Sequence, residues 1–494
     1  MTEKEVKKQA NPQKDQKELG ITMKKESDFG EWFSQVITKA DLVDYTDVSG
    51  CYVYKPGSYE IWEKVQEYMN KRFKALGVRN AYFPLFIPEK LLTKEKEHVE
   101  GFTPEVAWVT HAGESKLAER LAIRPTSETI MYDSYRKWIR SWRDLPLLIN
   151  QWCNVVRWEF KNPVPFIRSR EFLWQEGHTA HATQKEAEKE VFAILDIYAD
   201  TYREMYALPV IKGYKTEKEK FAGAVFTTTC EIFMPNGKSA QGCTSHSLGQ
   251  NFSKAFGIVF TDKDEKQQHI WQNSWGYSTR SIGIMIGMHS DNKGLVLPPR
   301  VASVQAVIVP IMFEDSKKKV LDVCGKIHKE LSADGKISVI LDDRDEYTPG
   351  WKFNDWEMKG VPVRIEVGPK DVEKDQAVII RRDTGKKEFV SIKELRTKVG
   401  KELENIHNDL YKKAVEVRDN NTVKAATMQD LMKAINNGKL VKTQWCGKTE
   451  CEEMIKDKTV GAKIICIPFD EKPSGKCAVC GKDSEHEVYV AKSY

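Results

Sequence analysis

The chain has 494 residues, a size of about three domains at the usual ~150 residues each, and its net charge of +5 permits a nucleic-acid partner without arguing for one. With 30% charged residues and no apolar run near the ~18 residues of a membrane span, the composition excludes disordered, fibrous and membrane-spanning classes. Ten cysteines without a secretory leader do not make a disulfide framework in a chain this long, so the expected compartment is the cytoplasm.

The start, MTEKEVKKQANPQKDQKE, mixes lysine with acid and lacks an apolar centre. It reads as a solvated, disordered tail over residues 1–20, with an RNA- or partner-binding extension as the alternative. SDFGEWFSQVITKADLVDY then reads as a short amphipathic helix and VSGCYVYKPG as a strand. A helix is expected from Ser58, a good N-cap, because Ile61, Val65, Met69, Phe73 and Leu76 recur at three-to-four spacing before Gly77. NAYFPLFIP reads as an edge or interface strand, since Pro84 cannot donate to a ladder. Residues 88–120 are charged and read as helical or irregular. Pro125-Thr126-Ser127-Glu128 is a capping pattern ahead of an apolar-periodic run, so Thr126 and Glu128 are either that cap or part of a site.

Residues 148–180 say most about chemistry. Two strand-like runs flank a loop with two prolines and two arginines. Period-two alternation puts Arg157 and Glu159 on one face of the first run, and Phe172, Trp174, Glu176 and His178 on one face of the second. The plain alternative is a surface hairpin with solvated charges, but Trp, Glu and His on one face need burial and polar partners together. Residues 183–206 form a strong amphipathic helix. Two polar-rich strands follow, FAGAVFTTTCEIFM and SAQGCTSHSLGQNF, where Gln241, Thr244, Ser245 and His246 crowd around Gly242 as they would at a polar ligand. Residues 271–300 carry Gly276, a Ser-Thr-Arg corner and an apolar helix opening at Arg280, where a helix N-terminus also favours an anion.

Beyond the proline pair at 298–299 the pattern becomes β-α-β-α-β with two further strands, a separate α/β domain. A charged helix over roughly 393–418 leads to the terminal module. There Cys446-x4-Cys451 and Cys477-x2-Cys480 fit a structural four-thiolate zinc site, with reduced, unpaired thiols as the alternative. Cys466, inside the apolar run IICIPF, reads as core.

These stretches resemble the class II aminoacyl-tRNA synthetases, and within them the prolyl-tRNA synthetases of archaeal/eukaryotic type, over almost the whole chain. The helix and strand ending at Pro84 are similar to the dimer-forming motif 1. VVRWEF, its loop and EFLWQEGHTA are similar to motif 2, and NSWGYSTRSIG to motif 3 with Arg280 as its arginine. RPTSE and QGCTSH are similar to segments that line the proline pocket and carry nucleotide contacts. The resemblance implies an α+β chain: an antiparallel-sheet catalytic domain over 21–300, an α/β anticodon-binding domain over 301–405, and a small α+β zinc-binding domain over 406–494.

The implied activity is activation of L-proline by ATP to prolyl-adenylate, with Mg²⁺ assisting, and transfer to the 3′ end of tRNA(Pro). By the same resemblance Arg157 and Arg280 are catalytic. ATP is met by Arg157, Glu159, Arg168, Ser169, Phe172, Gln241, Thr244, Ser278 and Arg280. Proline is met by Thr126, Glu128, Arg157, Trp174, Glu176, His178, His246 and Ser278, and Zn²⁺ by Cys446, Cys451, Cys477 and Cys480. Relatives often carry Thr at Ser278 and Gly at Cys243. Motifs 2 and 3 lie too close in sequence for an editing insertion. A cytoplasmic homodimer, with membership of a multisynthetase assembly open, completes the expectation, and Arg364, Arg381 and Arg382 are candidate anticodon contacts. Two other readings stand beside it. A synthetase-derived RNA-binding or regulatory protein that has lost activation is opposed by the presence of Arg157, Glu159 and Arg280. A threonine-activating enzyme is opposed because such enzymes use an active-site metal, whereas the four cysteines lie in the terminal module.

Overall fold

The computed structural model describes residues 20–98, 105–159, 162–470 and 473–494, so the tail expected over 1–20 lies outside the described residues apart from Gly20. Six antiparallel strands form the centre of the molecule, in the order Ile211–Tyr214, Phe226–Phe233, Lys238–Gly249, Trp271–Ser278, Glu171–His181 and Leu147–Val156. The short strand Arg79–Asn80 closes one edge, pairing parallel with Ile149 and Asn150. One face of this sheet is covered by helices. Gln184–Glu204, started by a Thr183–Glu186 capping box, lays Val191, Ile194, Leu195, Tyr198 and Tyr202 on it. Pro56–Ala75 adds Trp62, Val65, Met69 and Phe73, and the helix Arg280–His289, buried from Ser281 onward, completes the layer. The opposite face is left for a site.

Residues 306–391 make a five-stranded mixed sheet, ordered Val339–Leu341, Ala306–Pro310, Val363–Val367, Gln376–Arg381 and Lys387–Ser391. Its central parallel strand AVIVP is buried along its whole length, as a strand covered on both faces should be. Helices Lys317–Ser332 and Leu395–Asn420 pack on it through Val320, Cys324, Ile327, Val399 and Ile406. The result is an α+β chain with an antiparallel core and an α/β unit, as the sequence suggests.

Four local expectations are corrected. The first long helix starts at Pro56, not Ser58; a proline at the first helical position loses no bond, while the Ser58 hydroxyl is turned inward to donate to Leu42 O at 2.8 Å. Residues 88–120 contain helix Glu89–His98 but then two paired strands, Trp108–Ala112 and Ser115–Ile123, where alternating charge masked a β ribbon. Ser127 precedes helix Glu128–Trp138 but gives it no side-chain cap, because its hydroxyl is drawn to Glu176. Finally, Leu147–Val156 ends before Arg157, so Arg157 and Glu159 do not share a strand face.

The terminal module is also less separate than its sequence suggests. Among the described residues its strands Lys463–Pro468, His486–Ser493, Leu440–Trp445 and Thr422–Ala425 extend the central sheet to eleven strands. The join is Ile467 and Pro468 against Tyr214 and Gly213. A β-carbon on Gly213 would lie 2.2 Å from Ile467 O, a backbone atom that cannot turn away. Gly213→Ala is therefore expected to cost about 2–3 kcal/mol of stability by overpacking; urea unfolding indistinguishable from wild type would show that the two sheets part easily at this seam.

Candidate active site

On the uncovered face the sheet floors a cleft of about 250 Å³. Strand Glu171–His181 sends Phe172, Trp174, Glu176 and His178 into it, the row that period-two alternation predicts. Strand Lys238–Gly249 adds Gln241, Thr244 and His246, and Trp271–Ser278 adds Ser274, Gly276 and Ser278. Arg157 enters from the end of its strand and Arg280 from the start of its helix. Thr126 and Glu128, expected as a cap or a site, line the cleft.

The cleft floor is a buried charge network. Glu176 accepts from Ser127 N at 3.0 Å, from the Ser127 hydroxyl, from Gln151 Nε2 at 3.2 Å and from His178 Nε2 at 3.1 Å. Thr126 Oγ1 donates to Glu128, and Tyr132 OH lies 3.1 Å from His178 Nδ1. Burial opposes charge on Glu176, but the His178 bond and charge and the Ser127 bonds outweigh it and hold the carboxyl below its usual range. For His178 burial likewise opposes charge, while the charge of Glu128 and the bond and charge of Glu176 raise its pKa. His246 is the opposite case. Burial first, then the charges of His178 and Arg157, lower it to about 3, leaving a neutral ring 2.9 Å from Thr227 Oγ1 and 4.8 Å from the Phe221 ring.

Above this floor lie two cations and flat aromatic faces. Arg157 donates Nε to Pro125 O at 3.0 Å and sits 5.6 Å and 5.2 Å from the Phe172 and Trp174 rings. Arg280 donates Nε to Ile167 O at 2.9 Å, and burial followed by the charge of Arg157 lowers its pKa. Two half-buried arginines lining one cleft suit a polyanion.

Not every expected residue reaches the cleft. Glu159, Arg168 and Ser169 do not line it; all three stand on the loop beyond the strand end, Glu159 and Arg168 exposed and Ser169 buried. Phe221, Thr227, Ser274 and Trp275 line it without having been singled out. The polar strand FTTTCEIF could have flagged Thr227; Phe221 sits in a turn that carries no sequence signal.

Comparison with known proteins settles the family. Residues 108–289 match the tRNA synthetase class II core domain (G, H, P, S and T), 305–402 the anticodon binding domain, and 428–494 the prolyl-tRNA synthetase C-terminal domain. Proline–tRNA ligase 2 of Clostridioides difficile is 52% identical over 473 residues, covering 95% of this chain and 97% of that one. The cytoplasmic proline–tRNA ligase of Arabidopsis thaliana is 50% identical over 485 residues, covering 96% and 91%. A crystal structure of prolyl-tRNA synthetase from Cryptosporidium parvum, complexed with halofuginone and AMPPNP, superposes with a TM-score of 0.92 at 48% identity, covering 96% of this chain and all of that one. The chain belongs to the class II prolyl-tRNA synthetases. It is a proline–tRNA ligase, and proline, ATP and tRNA are the family's substrates.

The cysteine expectation for this synthetase meets a compact cluster. The Sγ atoms of Cys446, Cys451, Cys477 and Cys480 all lie within 4.8 Å of one another, with Cys446 at 3.6 Å from both Cys451 and Cys480. Thiolates at ~2.3 Å around one tetrahedral zinc stand about 3.8 Å apart, so the four residues fit the ion. The three arginines proposed as anticodon contacts do not fit theirs. Arg364 pairs with Glu366, Arg381 with Asp383, Glu402 and Asp409, and Arg382 with Asp291, so their charges are already met within the protein. The exposed aromatics of that domain are Phe313, Tyr347 and Phe389, and Tyr347 stacks on half-buried Trp351 with centroids 3.9 Å apart. No described helix is long and apolar enough to cross a membrane.

The depressed pKa of His246 has a consequence for acid stability. A group that binds its proton only near pH 3 when folded, against ~6.5 unfolded, withdraws stability as pH falls through that window, by about 1.4 kcal/mol per pH unit. His246→Gln is expected to remove that slope, narrowing the loss of stability between pH 7.5 and pH 5 in urea titrations. An unchanged loss would mean that His246 is protonated in the folded protein.

Proposed function

We propose that the cleft activates L-proline with ATP and passes it to the 3′ end of tRNA(Pro), with each ligand met by one part of the lining. The observation that carries this reading is the juxtaposition of a buried carboxylate pair, an aromatic wall and two arginines on one sheet face. Glu128 and the Thr126 hydroxyl take the secondary ammonium of proline, a charge-assisted bond strengthened by burial. Trp174 walls the ring, and Glu176 and His178 fix Glu128's surroundings. His246, neutral, and Ser278 complete the proline side.

Phe172 stacks on the adenine, with Arg280 on its other face, and Gln241 and Thr244 bond the nucleotide. Glu159, Arg168 and Ser169 reach ATP only from the loop over the cleft, so their contacts require that loop to meet the nucleotide. Mg²⁺ arrives with the ATP phosphates and lowers their charge. A proline carboxylate oxygen attacks the α-phosphorus; that P–O bond forms as the bond to pyrophosphate breaks. No side-chain base is needed, because the nucleophile is already ionised. Arg157 lies between the two anions and stabilises the charge that accumulates as they meet. The terminal ribose hydroxyl of tRNA then attacks the activated carbonyl, and AMP leaves.

The remaining assignments follow the same reading. Domain limits are 21–300, 301–405 and 406–494. The anticodon is met by exposed Phe313 and by the stacked Tyr347–Trp351 pair, which suit splayed bases better than the paired arginines do. Cys446, Cys451, Cys477 and Cys480 hold a structural zinc. Residues 182–270 are occupied by the helix and strands that build the cleft, which supports an enzyme without an editing insertion. The homodimer and the cytoplasmic location rest on the family.

Proline-dependent ATP–pyrophosphate exchange tests the activity; purified protein with Mg²⁺ and proline but no exchange would refute it. Arg157→Ala is expected to lower exchange by about a hundred- to a thousandfold with unchanged thermal stability, whereas near-normal exchange would remove its bridging role. Cys477→Ser should reduce bound zinc, measured by elemental analysis, and lower the melting temperature. Undiminished zinc would show that other atoms hold the ion.

A further inference from the structure

Arg382 was a candidate for contacting RNA, yet its guanidinium faces inward, its side chain 4% exposed. Nη1 and Nη2 donate to the two carboxylate oxygens of Asp291 at 2.8 and 2.7 Å, and Nε donates to Glu357 O at 2.8 Å. Three donors of one planar group are thus fixed on two partners, a fork that a lysine could not reproduce. Asp291 lies two residues beyond helix Arg280–His289, the helix that begins with the cleft arginine. Glu357 is in the last turn of helix Pro349–Met358, whose first turn borders the aromatic cleft of the mixed sheet through Pro349 and Lys352. Leu295 N to Met358 O at 3.0 Å joins the same two segments by backbone.

We propose that Arg382 is a positioning residue for ATP: it fixes the end of the catalytic helix from the anticodon-binding sheet, and so fixes the seat of Arg280. The inference rests on the reading of Arg280 as an ATP contact. A helix of ten residues is about 15 Å long and stiff, so a tilt at one end moves the other. Other bonds hold this helix too. His289 Nε2 lies 2.8 Å from Tyr206 O, Lys25 Nζ donates to Met288 O and Ser290 O, and Trp32 Nε1 donates to Asp291 O. All of these reach backbone carbonyls or come from within the catalytic unit. Arg382 instead grips the Asp291 side chain from the other sheet, and ties it to a helix that borders the aromatic cleft.

The test is steady-state ATP–pyrophosphate exchange on wild type, Arg382→Ala, the isosteric Asp291→Asn and the double variant, with ATP and proline varied separately. Positioning predicts that each single variant raises the KM for ATP about fivefold and leaves the KM for proline unchanged. The double variant should match the singles, because both remove the same fork. An unchanged ATP KM in both singles would overturn the proposal, showing that the His289, Lys25 and Trp32 bonds suffice. Equal rises for ATP and proline with a lowered melting temperature would overturn it as well, as a merely structural effect. ATP binding is read in parallel by calorimetry. Should wild type show no exchange, the functional reading fails, while the calorimetric ratio of variant to wild type still decides the role of Arg382.

Discussion

The site depends on an unequal charge count at the cleft floor. Glu128 and Glu176 are buried a few ångströms apart, and one histidine, His178, whose pKa they raise, stands against them. Uncompensated charge inside a protein costs several kcal/mol, so such a group persists only with its oxygens bonded or a counter-charge at hand. Glu176 has its bonds, from Ser127, Gln151 and His178. Glu128 has the Thr126 hydroxyl and the open cleft. In the proposed function Glu128 takes the ring nitrogen of proline. Opposite stand Arg157 and Arg280, whose charges repel each other, and the proposed function gives them the phosphates. The proposed function thus assigns the carboxylate end of the cleft to proline and the arginine end to ATP.

This arrangement has to be rigid, and the sheet makes it so. The floor residues come from adjacent strands whose register is fixed by antiparallel pairing, His178 opposite Ser274 and Ser274 opposite His246. Behind them, three helices press an aromatic layer that includes Trp62, Tyr198, Tyr202 and Tyr277. The terminal module continues the same sheet past Gly213, so its four-cysteine cluster belongs to a unit that is joined to the central sheet rather than hanging from a linker.

Sequence showed most of this where periodicity and a strong motif coincide. The Phe172–His178 row, the Gln184–Glu204 helix, the buried strand AVIVP and the cysteine spacing all appear as expected, because each is decided by neighbours within a few residues. What sequence could not show are choices made by distant partners. Ser127 leaves its helix for Glu176, Arg157 falls just past a strand end, and Arg382 finds Asp291 rather than RNA. The ribbon over Trp108–Ile123 was hidden because a small surface sheet, here three strands with Phe86–Pro88, can alternate charge instead of hydrophobicity. Phe221 entered the cleft unannounced, since a lone aromatic in a turn looks the same whether it meets a ligand or packs on a helix.

The most direct test of the unequal charge count is a calorimetric comparison of L-proline with tetrahydrofuran-2-carboxylate of the same configuration, both titrated in the presence of a non-hydrolysable ATP analogue. The two share the ring size and the carboxylate, but an ether oxygen replaces the secondary ammonium. If Glu128 and its neighbours hold a net negative charge for that ammonium, the oxygen analogue should bind at least about a hundredfold more weakly. Equal affinities would contradict the account, for they would mean that the cleft floor is already neutral without proline.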